Sequence, residues 1–301
     1  MLAYAGPAET DTGSADAAFE EHRPVLLGAA YRILGSVDDA EDVVQEAWLR
    51  WSEVDHTRVE APRRFLVKVV SRPAIDRLRL ARRWRETYVG PWLPEPVNTH
   101  EGEPLGPADT AAQRDTPSLA TLRLMHRLSA PERAVFVLRE AFELPYEEIW
   151  QVLGLGEAHA RQLHRRGAAH VATGRDRFTL DPDVHRELVD RFLTPARTGD
   201  RAALQGLLAQ DVTLWGDGGG KVRAALRPVS GAAKVCRFGI GTIGKHSEVE
   251  LRTADVNGEA ALVVRLGSTW HVCSFETADG LATGIQWMSN PDKLGRFTPA
   301  G

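Results

Sequence analysis

Cysteine is nearly missing: Cys236 and Cys273 are the only two in 301 residues. That excludes a disulfide-stapled secreted scaffold. A single bridge stays open, but two core thiols in a reduced cytosolic chain are the simpler expectation. Long apolar runs are missing too, so no segment reaches the length of a membrane-spanning helix. The N-terminus carries Glu9, Asp11 and Asp16 instead of a basic-then-apolar leader, and a cytoplasmic protein is expected. There is no internal repeat and no dominant low-complexity tract. No metal-ligand cluster or nucleotide-binding glycine loop is visible, so neither a metal nor a cofactor is expected. An overall positive charge is lacking as well: the formal net charge is −4.

What the chain does have is charge sorted into blocks. Between Asp38 and Asp55 lie seven acids (Asp38, Asp39, Glu41, Asp42, Glu46, Glu53, Asp55) and one base, Arg50. Between Pro62 and Glu86 lie nine bases (Arg63, Arg64, Lys68, Arg72, Arg77, Arg79, Arg82, Arg83, Arg85) and two acids, Asp76 and Glu86. Adjacent blocks of opposite sign point to two partners, one basic and one polyanionic.

The length and a 43% hydrophobic content suit two or three compact modules. Residues 1–17 are small and acidic, the composition of a disordered tail. Helical periodicity fills 18–86. Residues 87–117 hold Pro91, Pro94, Pro96, Pro104, Pro107 and Pro117, and read as an extended linker. Helices resume over 118–177. Over 183–295 two helical segments (Val184–Thr198, Arg201–Gln210) precede runs of strand character. Those runs are Val212–Trp215, Val222–Leu226, Val249–Val256, Ala260–Leu266, Trp270–Thr277 and Leu281–Met288. Asn257-Gly258 and Asp279-Gly280 between them read as hairpin turns, which gives an α+β domain with an antiparallel meander.

Ser36-Val37-Asp38-Asp39 has the spacing of a capped helix start, with acids at the electropositive end. Val37, Ala40, Val43, Val44, Ala47, Trp48 and Trp51 follow as one apolar stripe. On periodicity alone, this is a surface helix with a solvated acidic face. In the basic block, Phe65, Leu66, Val69, Val70, Ile75 and Leu78 form the apolar side, and arginines crowd the rest. Pro73 interrupts that helix, at a cost of about 3 kcal/mol unless a kink accommodates it. Further on, Ser129 caps an apolar run. A short helix from Pro145 ends at Gly154, and a basic helix follows from Glu157. This is the order of a helix-turn-helix.

Asp39-Ala40-Glu41-Asp42-Val43-Val44-Gln45-Glu46-Ala47-Trp48 resembles region 2 of the extracytoplasmic-function sigma factors of bacterial RNA polymerase. Leu26-Leu27-Gly28-Ala29-Ala30-Tyr31-Arg32-Ile33-Leu34-Gly35 precedes it, as the family requires. The resemblance implies that Asp39, Asp42, Gln45 and Glu46 contact core polymerase, whose β′ and β subunits are the expected partners. Ala74-Ile75-Asp76-Arg77-Leu78-Arg79 resembles the family's −10 recognition helix. It implies promoter contacts from Arg63, Arg64, Arg77, Arg79 and Arg82, with a flipped base held by the loop Asp55–Ala61. Residues 118–171 resemble region 4. There Arg161, Gln162 and Arg165 are implied to read −35 base edges, and Arg166 to hold phosphate.

Tyr88-Val89-Gly90-Pro91-Trp92-Leu93-Pro94-Glu95-Pro96, Asp217-Gly218-Gly219-Gly220-Lys221 and Asn290-Pro291-Asp292-Lys293-Leu294 resemble the marks of one sigma-factor subgroup. Its members carry a C-terminal SnoaL-like (NTF2-like) domain, a cone-shaped α+β fold. The resemblance implies regulation inside the chain through Trp92, Asp217, Gly218, Gly219, Gly220, Lys221, Asn290, Pro291 and Asp292. The expected fold is two all-α sigma domains followed by that cone, and the expected function is promoter-specific initiation without enzymatic activity. Two other readings remain. One is a stand-alone regulator that binds DNA and senses a small ligand. The other is an isomerase or cyclase, with Trp215, Asp217, Lys221, His271 and Trp287 lining a cavity.

Overall fold

The computed structural model describes residues 12–99, 117–175, 181–295 and 297. Residues 1–11 of the expected tail and 100–116 of the linker lie outside the described residues.

Three helices open the fold: α1 (Thr12–Leu34), α2 (Val37–Ser52) and α3 (Pro62–Arg85). α1 begins within the stretch expected to be a disordered tail. The Ser36 hydroxyl caps α2 at the amide of Asp39, and Ala40, Val43, Val44, Ala47 and Trp51 form its buried side. α3 runs unbroken through Pro73, against expectation. The helix survives the missing amide because Val70, Ala74, Ile75 and Leu78 on either side are buried in the core.

The second helical module, the one that resembles region 4, comprises α4 (Leu119–Met125), α5 (Ala130–Glu140), α6 (Tyr146–Leu153) and α7 (Glu157–Arg175). Ser129 and Glu132 form a reciprocal capping box at the start of α5. Gly154 ends α6 at φ 66°, a conformation that glycine adopts without strain.

The C-terminal domain starts with α8 (Pro182–Thr198) and α9 (Arg201–Gly206). Then come β1 (Leu208–Asp217), β2 (Val229–Ser230), α10 (Ala232–Ile243), β3 (Val249–Val256), β4 (Glu259–Leu266), β5 (Thr269–Ala278) and β6 (Leu281–Met288). A short α11 (Pro291–Leu294) follows. The sheet order is β2-β1-β6-β5-β4-β3. β3 to β6 form the expected meander, but β1 pairs parallel to β6. Both expected hairpin turns are present, with positive φ at Asn257, Gly258, Asp279 and Gly280. Two expectations for this domain fail. Val222–Leu226 is a loop, since glycines precede it and Pro228 follows. The helical segment placed over Arg201–Gln210 stops at Gly206, because Leu208 onward joins the sheet. α10 lies where the sequence pattern indicates no element.

The sheet is buried on both faces. One face holds Leu214, Leu262, Cys273, Phe275 and Trp287 against α8, α9 and α10. The other presents Ala261, Val263, Val272 and Met288 to the same hydrophobic core that fills regions 2 and 4. The two N-terminal helical modules and the C-terminal domain therefore share one continuous interior, and Val263 and Val272 are wholly buried in it.

Candidate functional site

The residues implied by the three C-terminal motifs converge on Asp217. This carboxylate ends β1 and is completely buried. It accepts from Tyr88 Oη at 2.6 Å, the Leu93 amide at 2.9 Å, the Gly219 amide at 3.0 Å and Lys293 Nζ at 2.7 Å. Burial pulls the Lys293 ammonium down to about 8, although the Asp217 charge opposes that shift. Asn290 donates to Tyr88 Oη and caps α11 at Asp292, while Lys221 pairs with Asp292 at 2.6 Å. Pro291 opens α11. A Cβ on Gly219 would fall 2.5 Å from Asn290, so only glycine permits this approach. Trp92 lies between cations, with Arg85 3.6 Å and Lys293 3.8 Å from its ring and His126 edge-on at 4.0 Å.

The strap from Tyr88 to Thr99 is thereby fixed along its length. Glu95 accepts from the Val37 amide at 2.7 Å at the start of α2, and its carbonyl accepts from Tyr31 Oη. Val97 exchanges hydrogen bonds with Asn257 through its amide and carbonyl. Asn257, buried in the β3–β4 turn, also donates to Tyr31 Oη and the Pro117 carbonyl. It joins region 2, the strap, the entry to region 4 and the sheet. Its Asn-Gly signature predicted a turn, but nothing local could disclose these partners.

A second fastening lies between α4 and the sheet. Arg123 forms a buried ion pair with Glu276, and its guanidinium sits 3.8 Å over the Trp215 ring. Burial raises the Glu276 carboxyl, which Arg123 partly offsets. Nearby, burial pushes Glu259 up to about 7, helped by the Glu276 charge and opposed by a hydrogen bond with Ser118.

The implied polymerase residues Asp39, Asp42 and Glu46 surround Arg77, at 3.9, 2.9 and 3.1 Å, while Gln45 is exposed. Arg77, read from sequence as a promoter contact, thus clasps α2. Among the other basic residues, Arg63 is exposed and Arg79 pairs with Asp76 at 2.9 Å. Arg64 and Lys68 reach Glu148 of α6 at 3.2 and 2.7 Å, which fastens region 2 to region 4. The Arg82 side chain lies outside what is described. The loop Asp55–Ala61 borders a cavity of about 470 Å³ whose wall includes Arg64 and Lys68. On α7, Arg161 pairs with Glu157 at 2.6 Å and covers Tyr146. Arg166 pairs with Glu132 at 3.0 Å, and Gln162 and Arg165 are exposed.

The cavity expected from Trp215, Asp217, Lys221, His271 and Trp287 does not form. Trp215 and Asp217 face the sigma helices, and His271 bonds Ser289 at 2.8 Å. Only Trp287 lines the cone's own cavity, about 70 Å³, whose walls are apolar side chains, Gly239 and the two free thiols, Cys236 and Cys273. Among the described residues, no helix is long and apolar enough to cross a membrane.

Comparison with known proteins agrees with this geometry. Residues 18–85 match the family Sigma-70 region 2, and residues 118–171 match Sigma-70, region 4. The ECF RNA polymerase sigma factor SigJ of Mycobacterium tuberculosis is 38% identical over 296 residues, covering 92% of each chain. The probable ECF RNA polymerase sigma factor SigI of the same species is 32% identical over 198 residues, covering 64% of this chain and 66% of the relative. The crystal structure of SigJ superposes with a TM-score of 0.75 at 35% identity, covering 93% of this chain and 98% of that one. The chain belongs to the extracytoplasmic-function RNA polymerase sigma factors of the sigma-70 family, in the group with a fused C-terminal SnoaL-like domain.

Proposed function

We propose that this sigma factor is held closed by its own C-terminal domain and opens when core polymerase and promoter DNA bind. It acts in the cytoplasm. The acidic face of α2, with Asp39, Asp42, Gln45 and Glu46, docks on the β′ subunit. α3 and the loop Asp55–Ala61 engage the −10 element, with the adjoining cavity taking a flipped base. Arg161, Gln162 and Arg165 on α7 read the −35 element, and Arg166 holds phosphate.

The observation that carries the closed state is the Arg64–Glu148–Lys68 contact. A carboxylate of the helix-turn-helix occupies the cations that the −10 reader offers to phosphate. The strap pinned at Asp217 and Asn257 keeps the two modules together. The cone's own cavity is lined by apolar side chains, Gly239 and two thiols, with no carboxylate or imidazole among the described residues of its wall.

The test is reconstitution with core polymerase and mapping of transcripts from a promoter library. Transcripts from defined sites, absent with core alone, are expected. Asp39→Arg with Asp42→Arg is expected to abolish core binding while leaving region 4 folded. Normal core binding by that variant would refute the role of α2.

A further inference from the structure

The loop Lys221–Pro228 meets the strap at Gly90 and pairs with Asp292 through Lys221, and the rest of it carries an exposed surface. Leu226 is 65% exposed at its tip. Arg223 and Arg227, three residues before and one after, are exposed and form no ion pair among the described residues. Arg64, Arg77, Arg79, Arg161 and Arg166 all have carboxylate partners, whereas Arg223 and Arg227 share their unpaired state among the described residues with exposed Arg63 on α3 and Arg165 on α7.

The loop begins in a tight turn. A Cβ on Gly218 would lie 2.4 Å from the Val222 carbonyl oxygen, and one on Gly216 would lie 3.0 Å from the Ala225 nitrogen. The amides of Lys221 and Val222 both donate to the Gly218 carbonyl. The glycine run thus builds a tight turn over 218–222, and Ala225 packs back against Gly216 beside the exposed Leu226.

Its position is informative. A Cβ on Gly90 would stand 3.5 Å from Leu226 Cα, and one on Gly220 3.3 Å from Val89. The tip therefore lies at the end of α3, where Leu80 and Trp84 are also exposed and Trp84 packs edge-on against Tyr88 at 5.2 Å. The exposed arginines Arg72 and Arg79 lie along the same helix.

We propose that this loop is a third DNA-contacting element, which enters the minor groove of the promoter duplex beside the segment engaged by α3. The inference rests on the reading of α3 as a promoter-binding helix. An apolar wedge flanked by arginines suits the minor groove, whose narrow, electronegative floor attracts guanidinium groups while the wedge unstacks a base step. A protein partner for Leu226 is less well matched: the loop itself offers cations and no acid, which selects a polyanion. It carries no Asn, Gln or Asp to read base edges, so the contact follows groove width and deformability.

The experiment uses the full chain with core polymerase on a promoter fragment selected by the wild-type protein. Arg223→Ala with Arg227→Ala, and Leu226→Ala separately, alter exposed side chains, and unchanged melting curves will verify their folds. The double variant is expected to bind about tenfold more weakly at 0.15 M salt, with the slope of log affinity against log salt reduced by about 2. A minor-groove-binding polyamide is expected to compete with the wild type but not with the double variant. Leu226→Ala is expected to lose hydroxyl-radical protection next to the −10 element. Unchanged slope and footprint would overturn the proposal. So would loss of core binding without DNA, which would make the loop a polymerase contact. Arg72→Ala with Arg79→Ala tests α3 independently: if it leaves binding intact while the loop variants weaken it, the reading of α3 fails and the loop contact stands.

Discussion

A carboxylate with no exposed surface has to have its charge balanced within the protein, and Asp217 does so with Lys293 and three hydrogen-bond donors. Removing one partner of a buried pair costs about 3–5 kcal/mol, because the other charge is left without compensation. Asp217→Asn keeps the shape but removes the charge. It is expected to lower the unfolding midpoint and to speed proteolysis of the strap at Tyr88–Leu93. Replacing both partners, as in Asp217→Asn with Lys293→Met, is expected to restore part of the loss, since no buried charge then stands alone. A double variant no better than the single one would show that the hydrogen bonds from Tyr88 and Leu93 matter more than the ion pair. The motif containing Asp217 was legible in the sequence, but its direct bonds to Tyr88 and Leu93 were not. Those partners lie well over a hundred residues away and are brought close only by the fold.

Elements with a strong local pattern were read well, and those set by distant contacts were not. The stripe and cap of α2 depend on nearby residues, so both emerged from spacing alone. α10 escaped notice because Gly239 and Gly241 dilute its pattern, and the parallel pairing of β1 with β6 has no local signal. In α7, Gly167 interrupts the run of helix-favouring residues. It is buried against α5, and a Cβ there would stand 3.5 Å from the Glu132 carbonyl oxygen and 3.6 Å from Phe136, which are ordinary contact distances. Gly167→Ala is therefore expected to stabilise the protein by up to about 1 kcal/mol, checked by denaturant unfolding. The β3–β4 hairpin gives a pH dependence. Glu259 ionises near 7 in the fold and near 4.5 when exposed, so the folded state holds its proton more tightly. Stability is full below about 4.5 and falls as pH rises through 7, by about 3 kcal/mol at most. Glu259→Gln is expected to flatten that slope in melts taken between pH 5 and 7.5, and an unaltered slope would place the titration elsewhere.

At the scale of the whole molecule, the sheet is covered on one side by its own helices and on the other by regions 2 and 4. The modules were legible singly, since each has its own periodicity and motifs. Their closure was not, because Arg64, Lys68 and Glu148 are ordinary surface residues of their own helices until the fold sets them together. That contact contributes only a small part of the energy that holds the molecule closed. Arg64 is half exposed, and two such pairs are worth about 1 kcal/mol between them, or roughly a fivefold shift in population. The apolar cover of the sheet is larger and is not touched by changing Glu148. Glu148→Ala is accordingly expected to leave the C-terminal domain docked while freeing Arg64 and Lys68 for phosphate. Promoter binding by the complex with core polymerase should rise by a few fold, and fluorescence energy transfer between α3 and α6 should drop. The gain should vanish at high salt, where the pairs are already screened. Equal binding and equal transfer in variant and wild type would mean that regions 2 and 4 are held together by the strap and the shared core alone, with the carboxylate of α6 a bystander.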